Sequence, residues 1–200
     1  MSRGRKRLGY VCLALGAGLL AFWLWSTADG LAFRATFGRR LDTLLAHAGP
    51  RALVAVAHAS RQQASGSGLI GRIEIPRLGL SEPVLEGTSG RSLRRGVGHV
   101  ARTAFPGERG NVALAGHRDS HFSRLREVEK GDLIRIQTPD GVFAYRVAAI
   151  HIVDPDRGDL LAQTGSPRLT LVTCYPFHWV GPAPRRYVVV ARPARATSPA

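Results

Sequence analysis

Three residue types in this chain could together attack a carbonyl. Cys174 ends the apolar, β-branched run RLTLVTC (168–174). His117 directly follows NVALAG (111–116), and Arg185 and Arg186 directly precede YVVVA (187–191). A thiol nucleophile works as its thiolate, beside a base or cation, with donors ready for the oxyanion that forms on attack. A histidine can give and take a proton near neutral pH. An arginine cannot lose its proton and offers a planar fork of donors. Each residue also has a plain structural reading. A lone cysteine is commonly a small buried hydrophobe. A loop histidine is commonly bonded to backbone, and an arginine at a strand entrance is commonly solvated.

The same residues admit a metal reading. His117 and His121 stand four apart, as do Cys174 and His178. Pairs at that spacing bind zinc when both lie on one helix. Pro176 interrupts the second pair and argues against a helix there. The chain contains no CxxC, so the spacing favours no metal.

All three groups therefore need strand ends to hold them, and the texture from Leu69 onward supplies strands. LIGRIEIPRLGL alternates at Ile73 and Ile75 and turns at Pro76. NVALAG is a short apolar run bounded by glycines. DLIRIQTPDGVFAYRV reads as a hairpin, Leu133–Gln137 and Val142–Val147 about a Pro-Asp-Gly turn. RLTLVTC and RYVVVAR are two more β-branched runs. Helix signal is confined to short pieces such as SHFSRLREVEKG (120–131). Many short strands with turn punctuation predict an all-β domain, a closed barrel or a sandwich. GRRL and GTSGRS match neither nucleotide-binding fingerprint.

The organisation before that domain is different. Arg3, Arg5, Lys6 and Arg7 open the chain, and the 18 residues from Leu8 to Trp25 carry no charge. Tyr10 lies near one end of this run and Trp23 and Trp25 at the other, as an aromatic belt would place them. The pattern predicts a single-pass transmembrane signal-anchor over residues 1–28, with the N-terminus cytoplasmic and the rest of the chain outside. Ser26 and Ala28 also suit a signal peptidase, and cleavage there would export the domain equally well. Residues 29–68 read as a helical stalk, with His47 and His58 as bystanders, closing on the small and flexible ASGSG. The folded domain then occupies 69–194 and a tail 195–200.

With 28 basic against 14 acidic residues the formal charge is +14. The arginines are scattered singly and in pairs, without aromatic interleaving or a nucleic-acid-binding motif, so nucleic acid is excluded as a partner. Attraction to an anionic envelope or membrane surface accounts for the charge. Of the two cysteines, Cys12 falls in the N-terminal run and Cys174 in the domain, so they form no routine disulfide. An unpaired thiol in an exported domain is itself notable.

At these residues the chain resembles the sortases, cysteine transpeptidases of bacterial envelopes. TLVTC resembles that family's cysteine signature, LAGHRD the segment around its histidine, and APRRYVVVA the strand that carries its arginine. YPFHWVGPAPRRY looks most like class D sortases and their Gram-negative relatives. The resemblance runs from about Gly71 to Pro193. It implies an eight-stranded closed β-barrel with short helices, and His117, Cys174 and Arg186 converging on one groove. Arg186 is preferred to Arg185 because it immediately precedes the aromatic that begins the strand. Ala115 and Val172 match positions that line the substrate groove. No carboxylate cluster resembles the calcium site of some class A members, which implies no required metal or cofactor. The implied substrate is a surface or secreted protein with a C-terminal LPxTG-like sorting signal, cut between threonine and glycine. The implied acceptor is an amine, from peptidoglycan, a pilin lysine or another source. Two other classes fit the residues less well. One is a membrane-anchored binding module that kept the barrel and lost the chemistry. The other is a hydrolytic cysteine protease or an L,D-transpeptidase, whose His-Gly-Cys run this chain lacks.

Overall fold

The computed structural model describes residues 7, 9–25, 28 and 68–194. The expected stalk and linker, all but Gly68, and the tail lie outside these residues. The chain divides into two units, Met1–Arg39 and Arg40–Ala200.

In the first unit residues 9–25 form a helix, α1, with Trp23 and Trp25 exposed. The transmembrane helix expected from the sequence is not supported. Among the described residues no helix is long and apolar enough to cross a membrane. The 17 consecutive described residues lie at the lower end of the about 17–25 that a spanning helix needs.

In the second unit eight strands close a barrel. They are β1 (Leu69–Ile75), β2 (Leu80–Glu86), β3 (Val97–His99), β4 (Asn111–Ala115), β5 (Leu133–Thr138), β6 (Gly141–Val153), β7 (Arg168–Tyr175) and β8 (Arg185–Pro193). Their order around the barrel is β1-β2-β3-β4-β7-β8-β6-β5, and β1 pairs with β5 to close it. The resemblance thus decides between barrel and sandwich as the strands themselves do. β2 runs parallel to β3, and β4 runs parallel to β7; the other neighbours are antiparallel.

Alternation builds the core. Leu169 and Leu171 of β7 and Val189 and Ala191 of β8 point inward with Val112, Leu114, Ile134 and Ile136. The intervening residues Val172, Arg186 and Val188 therefore share the outer face. The 3-10 turn Pro76–Leu78 follows β1 where Pro76 stops it. The stretch 120–131 yields only a five-residue 3-10 turn, Ser123–Glu127, and no α-helix; within Ser123–Glu127 Leu125 alone is buried. A short helix α2, Gly90–Arg95, is capped by Ser89, whose Oγ accepts from Ser92 N at 3.2 Å.

Candidate active site

The three chemical groups come from three adjacent strands, β4, β7 and β8. Parallel pairing sends β4 and β7 out of the barrel at the same rim, and antiparallel β8 enters there. Cys174 and Arg186 are direct cross-strand partners in the β7–β8 register. Partners on one face of an antiparallel pair hold their Cβ atoms about 5 Å apart. Arg185 instead pairs with Tyr175, is exposed, and lies 3.9 Å from the Asp154 carboxylate.

His117 lies two residues past Ala115, and Ala115 pairs with Val172, two residues before Cys174. Two bonds carry the parallel register past the end of β4. Gly116 N donates to Val172 O at 3.1 Å, and the buried Thr173 Oγ1 donates to Gly116 O at 2.7 Å. The segment carrying His117 is thereby stitched to the segment carrying Cys174. Gly116 also has to be glycine, because a Cβ there would lie 2.7 Å from the Phe122 ring. Phe122 is fully buried, and its N–H donates to His117 O at 2.9 Å.

The loop between β7 and β8 returns the chain from Cys174 to Arg186. It begins with a cis Tyr175–Pro176 peptide. Tyr175, Phe177 and Tyr187 pack as a cluster with ring centroids 5.1–6.1 Å apart. Burial, and next the neighbouring Tyr175, push the Tyr187 phenol pKa up. Arg118, adjacent to His117, donates from Nη2 to Trp179 O at 2.8 Å and to Gly181 O at 3.3 Å across this loop. Arg186 Nη1 donates to Ala183 O and Arg185 O, at 3.2 and 3.0 Å.

A groove of about 280 Å3 runs along the outer face beneath this rim. Ala115, Val172, Val188 and Arg186 line it from β4, β7 and β8, Val153 lines it from the end of β6, and Pro155, Leu160 and Leu161 form a wall from the β6–β7 connection. Asp154 and Arg157 add charge at its edge. Arg157 is forked onto Asp159 at 2.8 and 2.9 Å, which holds that carboxyl below its usual range. His117 and Cys174 stand beyond the lined stretch, at the rim.

The other candidate histidines go elsewhere. His121 is buried, with Nδ1 2.7 Å from Glu82 Oε2 and Nε2 3.4 Å from Arg94 O. His178 is exposed in the β7–β8 loop. Among the described residues no group of three or more His, Cys, Asp or Glu side chains is placed to hold a metal. Thr173 and Gly116 are the positions that residue chemistry alone passes over. Their signal lies in the motifs themselves, the threonine before Cys174 and the glycine before His117.

The comparisons with known proteins bear on the family and the fold. A family model described as the sortase domain matches residues 73–194. The chain is 41% identical over 123 residues to Sortase D of Bacillus subtilis, covering 61% of this chain and 62% of that protein. It is 34% identical over 125 residues to Sortase A of Bacillus anthracis, covering 60% of this chain and 58% of the relative. The match thus spans about three fifths of each relative's length. Among solved structures it resembles a Clostridium perfringens Sortase D5 transpeptidase. That likeness has a TM-score of 0.60 and 28% identity, and covers 69% of this chain and 88% of the other. A match across most of the barrel, with cysteine, histidine and arginine gathered at one rim, leaves one assignment: the chain belongs to the sortase family of cysteine transpeptidases.

Proposed function

We propose that the barrel is an exported transpeptidase that cuts an LPxTG-like sorting signal between threonine and glycine and passes the acyl group to an amine. The observation that carries this reading is the cross-strand pairing of Cys174 with Arg186. The Thr173–Gly116 bond that stitches the His117 segment to the Cys174 segment supports it further.

Cys174, as thiolate, attacks the threonine carbonyl. Arg186 donates to the oxyanion as charge gathers on it. His117, as imidazolium, gives its proton to the departing glycine amine. Collapse of the tetrahedral adduct leaves a thioester on Cys174. An incoming amine, deprotonated by neutral His117, attacks the thioester and releases Cys174 with a new amide bond. Ala115 and Val172 line part of the groove in which the signal lies. The mostly apolar groove keeps water from the thioester, since water would turn transfer into hydrolysis. The substrate is a surface or secreted protein bearing the signal. The acceptor is an amine of the envelope, such as peptidoglycan or a pilin lysine. Export rests on the basic residues Arg3–Arg7 and the uncharged run behind them.

Intact-mass spectrometry tests the reading. The protein is mixed with a panel of LPxTG-like peptides, with and without an added amine. The expected result is a mass increase equal to the peptide up to its threonine, discharged faster when amine is present and absent in Cys174→Ala. An alkylatable Cys174 that captures no peptide would overturn transfer and leave a binding module. Discharge indifferent to amine would make the enzyme a hydrolase.

A further inference from the structure

The wall of the groove depends on a polar clamp that lies outside the reacting groups. Leu160 and Leu161 reach the groove from the 3-10 turn Gly158–Leu161, between β6 and β7. What fixes that turn against the barrel is chiefly side-chain bonding to its backbone. Leu160 O accepts from Arg168 Nη2 at 2.8 Å and from Asn111 Nδ2 at 3.2 Å. Ala162 O accepts from the same two side chains at 3.4 and 3.3 Å. Asn111 is fully buried, and its Oδ1 accepts from the equally buried Thr170 Oγ1 at 2.8 Å.

The bonding also runs the other way. Gln163, two residues past the wall, turns its side-chain amide onto the backbone of Asn111. Asn111 N donates to Gln163 Oε1 at 3.1 Å, and Gln163 Nε2 donates to Asn111 O at 3.3 Å and to Arg102 O at 3.1 Å. β3 pairs with β4 only at Leu114 and Ala115, and at Asn111 the edge is shared by Ala104 N, which donates to Asn111 O at 2.9 Å, and the Gln163 amide. Room for it exists because residue 110 is glycine, with φ +117; a Cβ there would lie 2.2 Å from Gln163 Oε1. The two amides thus bind each other's chains reciprocally. These bonds tie backbone atoms of the turn to β4 and β7, although Arg168 Nε stays buried without a partner.

We propose that Asn111 and Gln163 are positioning residues for substrate recognition: their reciprocal clamp holds the Leu160–Leu161 wall in its substrate-ready place before peptide arrives. This rests on the transpeptidase reading of the groove. Neither residue touches the reacting atoms, so loss of the clamp weakens capture of peptide and leaves the chemistry alone.

The test uses the full chain with Gln163→Ala and Asn111→Ala. Gln163 is exposed, so its variant keeps the proposal testable if the Asn111 variant fails to fold. Hydrogen exchange of the amides over 158–163, the rate of Cys174 alkylation by iodoacetamide, and steady-state peptide turnover are measured together. The expected result is exchange over 158–163 faster by roughly tenfold, with KM raised by a similar factor. The alkylation rate and kcat stay at the wild-type value. Unchanged exchange in a folded Gln163→Ala overturns the clamp. A fall in kcat with KM unchanged overturns its role in recognition. If wild-type protein captures no peptide at all, the transpeptidase reading fails and takes the recognition role with it, while the exchange result still decides the clamp.

Discussion

The proposed chemistry rests on Cys174, His117 and Arg186, and Cys174 and Arg186 are each open to a separate test. Cys174→Ala is expected to abolish acyl-enzyme formation in the mass assay; retained turnover would falsify the assignment. Arg186→Ala removes the proposed oxyanion donor and is expected to lower kcat by roughly 10²–10³, with the melting temperature little changed. Arg185→Ala is expected to be near-silent, since that side chain leans toward Asp154 and pairs across from Tyr175. A reversal of those two results, read from peptide turnover, would transfer the role to Arg185. All three residues were legible in the sequence as candidates, but only as a set. Singly, a thiol, a loop histidine and an arginine among 28 basic residues each have an ordinary structural explanation. Their common position after or before an apolar run made them candidates for one rim. The clamp formed by Asn111 and Gln163 was not legible, because it consists of side-chain amides bonded to distant backbone, and no local pattern encodes such a partner.

At the scale of elements, the β4–β7 junction decides whether the site exists. Thr173→Val keeps the shape and removes the hydroxyl, leaving Gly116 O buried without that donor. The expected cost is about 1–3 kcal/mol in a denaturant titration, together with slower turnover. Thr173→Ser is expected to recover most of both. Equal turnover in Thr173→Val and wild type would show that the bond does not set the His117 segment. Gly116→Ala would push a methyl into the Phe122 ring, and overpacking of this kind costs about 1–3 kcal/mol. Strands with strong alternation or β-branched runs, namely β1, β4, β5, β7 and β8, were legible with boundaries close to those observed. β6 extends to Val153, well past the expected Val147, because β5 and β8 pair with different parts of it. β2 and β3 were not singled out. β2 carries Pro83 in its interior, and β3 has three residues, Val97–His99, too few for any periodicity.

For the whole molecule, an ion pair far from the groove makes the barrel sensitive to acid. Arg77 grips Asp132 with two bonds, Nε to Oδ1 at 2.6 Å and Nη2 to Oδ2 at 2.8 Å. That hydrogen bonding, opposed by burial and aided by Glu129 N, holds the Asp132 carboxyl below its ordinary value of 3.8. A carboxyl lowered on folding contributes stability that is fully present above its unfolded pKa and disappears as pH falls through the folded one. The melting-temperature gap between wild type and Asp132→Asn is therefore expected to be widest above about pH 5 and to shrink steadily below about pH 4. A gap independent of pH would remove the charge from the explanation. The barrel's topology has a further effect, on time. Thr173 and Gly116 meet across 57 residues of chain, and β4 cannot align with β7 until that long loop closes. Pairings so distant in sequence are entropically costly and form late. A newly made chain therefore carries a bare thiol well before it carries a transfer centre. In refolding, recovery of peptide turnover is expected to trail recovery of strand signal, so that catalytic competence marks the barrel's final closure.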